Sequence, residues 1–267
     1  FTFPHIGNVG ANPEDVEADG PHALGMIVRE DVTEPSSFRS VERLDAWMAK
    51  HDRVGLAGVD TRALTRRIRT GGAPNGVIAH ARDGRFNVPL LLEMARAWPG
   101  LEGMDLAITV SCETHFGWEG GVWRLGFGYG ESPLPQAGGG AEERPHVVAI
   151  DYGSKRNIFR NLVKAGAKVT VLPATASFEQ VMAFNPDGIF LSNGPGDPAA
   201  TGEYAVPVVR RLLDTGLPLF GICLGHQLLG LAVGAKTTKM FQGHRGANHP
   251  VKRLSDGAVE ITSMNHG

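Results

Sequence analysis

Residues 217–232 read LPLFGICLGHQLLGLA, and this stretch decides the fold. Residues 217–222 are apolar, as in a buried strand, and residues 226–232 have the pattern of a helix. Between them lies a G-x-C-x-G arrangement centred on Cys223. Glycine removes the Cβ atoms that would clash where a strand turns sharply into a helix, so the arrangement predicts a nucleophile elbow.

Apolar runs earlier in the chain predict three more strands, over residues 147–150, 169–172 and 188–191. Their continuous apolar character is typical of strands covered on both faces. A helical stripe that ends at Gly166 follows the first of them, and a capping box of Ser177 and Gln180 predicts a helix after the second. Strand alternating with helix predicts a doubly wound, mostly parallel sheet, in which ligands bind at the carboxyl ends of the strands.

The clearest boundary is residues 131–145, where prolines, three consecutive glycines and charged residues can bury little and predict a linker. This linker divides a smaller, mixed α/β amino-terminal domain, residues 1–130, from the sheet domain, residues 146–267. The chain starts at Phe1 without a methionine and stops at Gly267 directly after a strand-like segment. We therefore expect a fragment that lacks both termini.

Composition argues against several classes of function. The 267 residues, enough for about two domains, carry 26 Lys and Arg against 28 Asp and Glu, with no concentrated basic stretch. Neither nucleic acid nor an anionic membrane is therefore an expected partner. The longest apolar run, residues 217–233, is interrupted by His226 and Gln227 and is too short to span a membrane. The two cysteines lie far apart and suggest no disulfide framework, which predicts a reducing cytoplasm.

Cys223 is the predicted nucleophile. It would lie near the N-terminus of the following helix, whose partial positive charge favours the thiolate. The backbone N–H of Leu224 would point at a substrate carbonyl as one half of an oxyanion hole, a donor typically worth about 3 kcal/mol of barrier. Most unpaired cysteines are small buried hydrophobes, but two flanking glycines at a strand end argue against that role here. For Cys112, which has no such context, that role stands.

The third predicted strand ends in SNGPGDP, residues 192–198. Two glycines and two prolines predict a rigid loop that exposes backbone N–H groups to a ligand. The loop lacks the Lys-Ser/Thr of a phosphate-binding P-loop, so we do not expect a nucleotide there. Alone it would be an ordinary turn. Beside Cys223 on the same sheet edge it becomes a substrate clamp, with Gly194 as the second oxyanion donor.

Two motifs in order, SNGPGDP and PLFGICLGHQLL, resemble the class I glutamine amidotransferase domain. Four other stretches are similar to the small, glutamine-hydrolysing subunits of carbamoyl phosphate synthetases. They are FPHIGN (residues 3–8), GVDTRALTR (58–66), DYGSKRN (151–157) and GHRGANHPV (243–251). The resemblance covers nearly the whole chain.

The resemblance implies that Cys223 attacks the side-chain amide of glutamine and that ammonia passes through a tunnel to a large subunit. That partner would form a heterodimer with this chain and use ATP, Mg²⁺ and bicarbonate to make carbamoyl phosphate for arginine and pyrimidine synthesis. No cofactor or metal is expected in this chain itself. The positions that match the family's glutamine-binding residues are Gly194, Gly196, Leu224, Gln227, Asn265 and Gly267. Judged by residue type alone, Gln227 could equally face solvent and Asn265 could form a turn.

A thiol nucleophile needs a base, usually a histidine oriented by a carboxylate. The family draws both from a later Gly-His-Pro-Glu segment, which this sequence does not contain. It assigns the role to none of four histidines near the motifs: His226, His244, His249 and His266. The phenylalanine that follows Asn-His-Gly in the family and an amino-terminal serine that helps to bind glutamine are also absent. We therefore expect residues 1–267 alone to show little or no glutaminase turnover.

Three other functions are compatible with parts of the sequence. The glutaminase of another amidotransferase, such as that of anthranilate or GMP synthesis, would resemble only the second half of the chain. A non-catalytic glutamine-binding or regulatory subunit would have no need of Cys223. A cysteine hydrolase or peptidase would share the elbow, but SNGPGDP and Gln227 suit glutamine better than a peptide.

Overall fold

A computed structural model describes residues 1–3, 5–130 and 144–267 of the chain. These residues form two compact units, Phe1–Gly100 together with Lys239–Gly267, and Leu101–Thr238. The units are groups of residues in mutual contact, so the predicted domain bounds remain a prediction. Most of the predicted linker, residues 131–143, lies outside the described residues.

The secondary structure of the described residues follows the chain in this order. It comprises a 3₁₀ turn (Pro13–Asp15), β1 (Gly25–Ile27), α1 (Leu44–Lys50), β2 (Val54–Leu56), α2 (Thr61–Gly71), α3 (Val88–Ala97), α4 (Ala107–Val110), β3 (Phe116–Trp118), β4 (His146–Asp151), α5 (Arg156–Lys164), β5 (Lys168–Pro173), α6 (Phe178–Met182), β6 (Gly188–Leu191), α7 (Pro198–Asp214), β7 (Leu219–Gly221), α8 (Leu224–Ala232), β8 (His244–Lys252) and β9 (Val259–His266).

The first unit combines short strands with helices. Strands β1 and β2 pair in parallel, and β8 and β9 form an antiparallel hairpin whose register shifts between Gly246 and His249. Helix α2 begins where the carboxylate of Asp60 accepts the backbone N–H of Ala63 at 2.9 Å. A side-chain acceptor at this position satisfies one of the N–H groups that the first helical turn leaves unpaired. The unit therefore has the mixed α/β character that the sequence predicts for the smaller domain.

The second unit contains the predicted doubly wound sheet. Among the described residues, five strands pair in the order β3-β5-β4-β6-β7. The four strands from β5 to β7 run parallel, and only β3 at the edge is antiparallel. The four strands predicted from apolar runs are the four parallel strands, so the predicted fold class is confirmed.

Strand β7 is shorter than the predicted range of residues 217–222. It spans only Leu219–Gly221. Pro218 has no N–H to give to the ladder and contributes only its carbonyl, which accepts the N–H of Ile189 at 2.8 Å. At the other end, Ile222 already belongs to the turn that leads into α8.

Helices cover both faces of this sheet. Alternate residues of β4 face opposite sides, as the pleat of a strand requires. Val148 and Ile150 belong to one buried cluster, which includes Leu228 of α8, whereas Ala149 belongs to a second cluster with Phe159 of α5. The predicted capping box of α6 is also present, since Ser177 and Gln180 each accept the other's backbone N–H.

Helix α8 starts in direct contact with the end of β6, and we predict that Gly225→Ala disrupts this packing. A Cβ atom at Gly225 would press on the carbonyl oxygen of Leu191 and lie 2.7 Å from the Leu191 Cβ. Overpacking of this kind typically costs about 1–3 kcal/mol, so the free energy of unfolding should fall by at least that amount in denaturant melts.

Gly230→Ala is the matched control on the same helix, because a Cβ atom there would meet only the Cβ of Ala235 at 3.8 Å. Alanine is the better helix former by about 1 kcal/mol, so this variant should be as stable as the parent or more stable. Equal stability of the two variants would contradict the packing described here.

Candidate active site

Cys223 has an unusual backbone conformation at the turn between β7 and α8. Its φ is 53° and its ψ is −110°, and its side chain is exposed. A residue with a Cβ atom adopts such a conformation only at a cost of about 1–3 kcal/mol, and such residues concentrate at functional sites. The strained turn, with the thiol exposed above the end of the sheet, has the geometry of a nucleophile elbow.

The two flanking glycines are required by the tightness of this turn. A Cβ atom at Gly221 would lie 2.6 Å from the carbonyl carbon of Gly225 and 2.7 Å from the backbone nitrogen of His226. The backbone before Cys223 therefore touches the backbone after it. This contact is the physical reason for the G-x-C-x-G pattern.

Backbone hydrogen bonds fix the elbow on both sides of the thiol. The N–H of Ile222 donates to the carbonyl of Leu191 at 3.1 Å. The N–H of Gly225 is shared between the carbonyls of Ser192 and Ile222, each at 3.0 Å. The carbonyl of Cys223 accepts the N–H of Gln227 at 3.0 Å, so the main chain of Cys223 is part of the helix while its side chain stays outside.

The SNGPGDP loop is bonded to the turn that follows β4. The hydroxyl of the fully buried Ser192 accepts the N–H of Tyr152 at 2.8 Å. The side-chain oxygen of Asn193 accepts the N–H of Lys155 at 3.0 Å, and its side-chain nitrogen donates to the carbonyl of Gly153 at 3.1 Å. Side chains of the loop thus replace backbone pairing and hold two sheet-edge turns together.

Gly194 lies between these two turns and the start of α8. A Cβ atom at Gly194 would lie 2.8 Å from the carbonyl carbon of Tyr152 and 2.9 Å from Cδ2 of Leu224. The two residues predicted to form the oxyanion hole are therefore neighbours. Within the described part of the chain, neither the N–H of Gly194 nor that of Leu224 has a hydrogen-bond acceptor.

The second unit brings together four of the predicted glutamine-binding positions with the thiol. Gly194, Gly196, Leu224 and Gln227 lie on the SNGPGDP loop and the first turns of α8, beside Cys223. The two remaining positions, Asn265 and Gly267, belong to the first unit, at the end of β9. The roles of all six residues with glutamine stay predictions.

Sequence reasoning missed one group of residues at the site. Residues 103–106 pack against the SNGPGDP loop, and Asp105 accepts the hydroxyl of Thr201 at 2.9 Å. No local pattern marks this contact, because its partners are 96 residues apart in the chain.

Cys112 lies in surroundings unlike those of Cys223. It is half-buried, and its N–H donates to the carboxylate of Asp151 at 2.9 Å. Burial, reinforced by the negative charge of Asp151, raises the pKa of the Cys112 thiol to about 12. Cys112 is therefore protonated at neutral pH, which agrees with the structural role expected of it.

Three of the four histidines near the motifs gather on the β8–β9 hairpin. His244 Nδ1 and His266 Nε2 are 2.9 Å apart, and the rings of His244 and His249 are 5.1 Å apart. Burial, with the neighbouring His244 and His249, lowers the pKa of His266. No group of three or more His, Cys, Asp or Glu side chains suited to a metal ion occurs in the described ranges. In the same ranges, no helix has both the length and the apolar character needed to cross a membrane.

An elbow cysteine at the carboxyl edge of a doubly wound sheet, beside a glycine-rich loop, defines a class of amidotransferase. Residues 148–267 match the family model described as glutamine amidotransferase class-I. Residues 1–78 match the family model of the carbamoyl-phosphate synthase small chain, CPSase domain. The two matches fall on different parts of the chain and occur together.

Curated relatives narrow the class to one family. The carbamoyl phosphate synthase small chain of Zymomonas mobilis is 67% identical over 267 residues, which are all of this chain and 70% of that protein. The small chains of Bradyrhizobium diazoefficiens and Brucella anthropi are 58% and 57% identical and align with all of this chain and 66% and 65% of their own length. The chain belongs to the carbamoyl phosphate synthase small chain family. The family predicted from the motifs is confirmed, which decides against the glutaminase of another amidotransferase.

The chain thus spans 65–70% of the length of these relatives. A solved structure from Thermoplasma acidophilum is 21% identical and covers 43% of this chain and 57% of that one. Its TM-score is 0.38, a likeness too low to bear on function.

The different surroundings of the two cysteines predict selective alkylation. At pH 8 a thiol with a pKa of about 12 is ionised in only about one molecule in 10⁴, and the thiolate is the reactive form. Iodoacetamide should therefore modify Cys223 at least about 10²-fold faster than Cys112, as followed by peptide mass spectrometry. Cys223→Ser is the control that isolates labelling at Cys112. Equal labelling of the two thiols would contradict the assigned environments.

Proposed function

We propose that the complete protein is the glutaminase subunit of a carbamoyl phosphate synthase, with Cys223 as its nucleophile. The observation that carries the proposal is the strained, exposed conformation of Cys223 beside Gly194 and Leu224. Family membership supports the same function. A non-catalytic glutamine-binding or regulatory subunit is the alternative, and a strained exposed thiol, which such a subunit would not need, argues against it.

In the proposed reaction, the Cys223 sulfur forms a bond to the side-chain amide carbon of glutamine. The carbonyl electron pair moves onto oxygen, and the N–H groups of Leu224 and Gly194 stabilise that oxyanion, each by about 3 kcal/mol. When the oxyanion collapses, the C–N bond breaks and nitrogen leaves with a proton as ammonia. A γ-glutamyl thioester remains on Cys223. Water then adds to its carbonyl, the C–S bond breaks, glutamate departs and sulfur regains a proton.

The proton that leaves the thiol and the proton that ammonia takes both require a base beside Cys223. We assign this role to the histidine of the Gly-His-Pro-Glu segment that the family resemblance implies, with the glutamate orienting the ring. The exposed position of the thiol leaves it accessible to a base supplied from another part of the protein.

Glutamine itself would be held by backbone and amide groups. Gly194, Gly196 and Leu224 can offer backbone N–H donors, and their close packing leaves no side chain between loop and elbow. Gln227 and Asn265 can each donate and accept hydrogen bonds, which suits the α-amino and α-carboxylate groups of the substrate. Gly267 completes the set that the family pattern predicts.

Ammonia would pass to a large subunit, and the two chains would form a heterodimer in the cytoplasm. We propose that the large subunit binds ATP and Mg²⁺ and makes carbamoyl phosphate from bicarbonate for arginine and pyrimidine synthesis. This chain would contribute no cofactor of its own.

Removing the thiol tests the assignment. In the complete protein with its large subunit, Cys223→Ser should lower glutamine-dependent carbamoyl phosphate synthesis by at least about 10³-fold. Synthesis from added ammonia should persist, because ammonia bypasses the thioester. The coupled release of phosphate from ATP measures both rates.

Cys112→Ser makes the same chemical change at the other cysteine and should leave the glutamine-dependent rate unchanged. Glutamine-dependent activity that survives Cys223→Ser would rule out the thioester route. Loss of the ammonia-dependent rate as well would show that the substitution damages the complex rather than the chemistry.

A further inference from the structure

Residues 103–106, which we call the buttress, clamp the end of the SNGPGDP loop through two backbone hydrogen bonds. The N–H of Gly103 donates to the Asp197 carboxylate at 2.8 Å. In return, the N–H of Asp197 donates to the carbonyl of Met104 at 2.8 Å. Asp197 is thus held through its side chain and its main chain by the same short segment.

The loop and the buttress also meet at Gly196. Its φ is 99°, and a Cβ atom there would lie 2.8 Å from both the Met104 carbonyl oxygen and the Leu106 nitrogen. The two backbones are therefore in van der Waals contact. A shift of the buttress would move the loop with it.

Asp105 fixes the buttress to helix α7. Its carboxylate accepts the hydroxyl of Thr201, which is 0% exposed, at 2.9 Å and that of Tyr204 at 3.4 Å. Burial, followed by the charge of Asp105, raises the pKa of Tyr204, so the phenol keeps its proton and remains a donor at physiological pH. Asp197 caps this same helix, because its carboxylate accepts the N–H of Ala199 at 2.9 Å. Loop, buttress and α7 therefore form a closed ring of contacts.

We propose that Asp105 is a positioning residue for glutamine hydrolysis. By holding the buttress on α7, it fixes Asp197 and Gly196 and thereby sets where the N–H of Gly194 points at Cys223. This inference rests on the proposed function, because the oxyanion that Gly194 would stabilise forms only if Cys223 attacks glutamine. Asp105 acts through the loop and makes no contact with the thiol in this account.

The test is a pair of substitutions in the complete protein with its large subunit. Asp105→Ala removes the acceptor and should lower kcat for glutamine about 10- to 100-fold, since a misplaced oxyanion donor weakens the transition state more than the bound substrate. KM for glutamine should change less than about threefold. Asp105→Asn keeps an oxygen that can accept the Thr201 hydroxyl and should restore kcat to within about threefold of the parent.

Glu102→Ala is the matched control, because it removes an exposed carboxylate three residues before Asp105 in the chain direction of the same turn region and should leave kcat unchanged. Thr201→Val removes the donor instead of the acceptor while keeping the side-chain shape, and it should lower kcat in the same direction. If Asp105→Ala does not fold, Thr201→Val and Asp105→Asn decide the question.

The outcomes separate this inference from the function on which it rests. If the parent protein does not hydrolyse glutamine, the proposed function fails. If the parent is active and both Asp105→Ala and Thr201→Val keep its kcat, Asp105 is not a positioning residue. Equal losses of glutamine-dependent and ammonia-dependent synthesis would likewise overturn the inference, because they would show a general structural defect.

Discussion

At the elbow, the backbones of residues 221 and 225 touch each other, and residue 225 also touches the carbonyl of Leu191. This contact lets α8 begin directly above the end of β6, and it exists only because both positions lack a Cβ atom. The chain passes between the two glycines with Cys223 at a φ of 53°, which leaves the thiol exposed. The same contact brings the first turn of α8 next to the SNGPGDP loop, so nucleophile, helix N-terminus and loop all depend on it.

Such a turn persists only if the surrounding packing outweighs its strain, about 1–3 kcal/mol for one residue in an unfavourable conformation. Helix α8 supplies that packing. Leu224 is 1% exposed and Leu228 is 0% exposed, and both belong to the cluster on one face of the sheet. Burying a leucine side chain contributes about 1.5–3 kcal/mol, so two of them offset the strain. The core and the reactive residue are therefore parts of one arrangement.

Local patterns predicted much of this from sequence, because their causes are local. Four parallel strands announce themselves as apolar runs, and G-x-C-x-G marks a turn whose sterics involve only five neighbouring residues. The edge strand β3 is three residues long and has no periodicity to detect. The link between Asp105 and Thr201 joins residues 96 positions apart, and no spacing rule reaches that far. Asn265 and Gly267 were predicted from family resemblance, and their part in binding glutamine depends on tertiary structure that sequence patterns do not encode.

The account assigns one chemical event to one atom, the formation of a γ-glutamyl thioester on the Cys223 sulfur. Rapid acid quenching of the complete protein with its large subunit during glutamine turnover, followed by peptide mass spectrometry, measures this event most directly. The account predicts that the peptide containing Cys223 gains the mass of glutamine less ammonia, and that the peptide containing Cys112 does not. Ammonia release without any adduct on Cys223, or with an adduct on another residue, would contradict it.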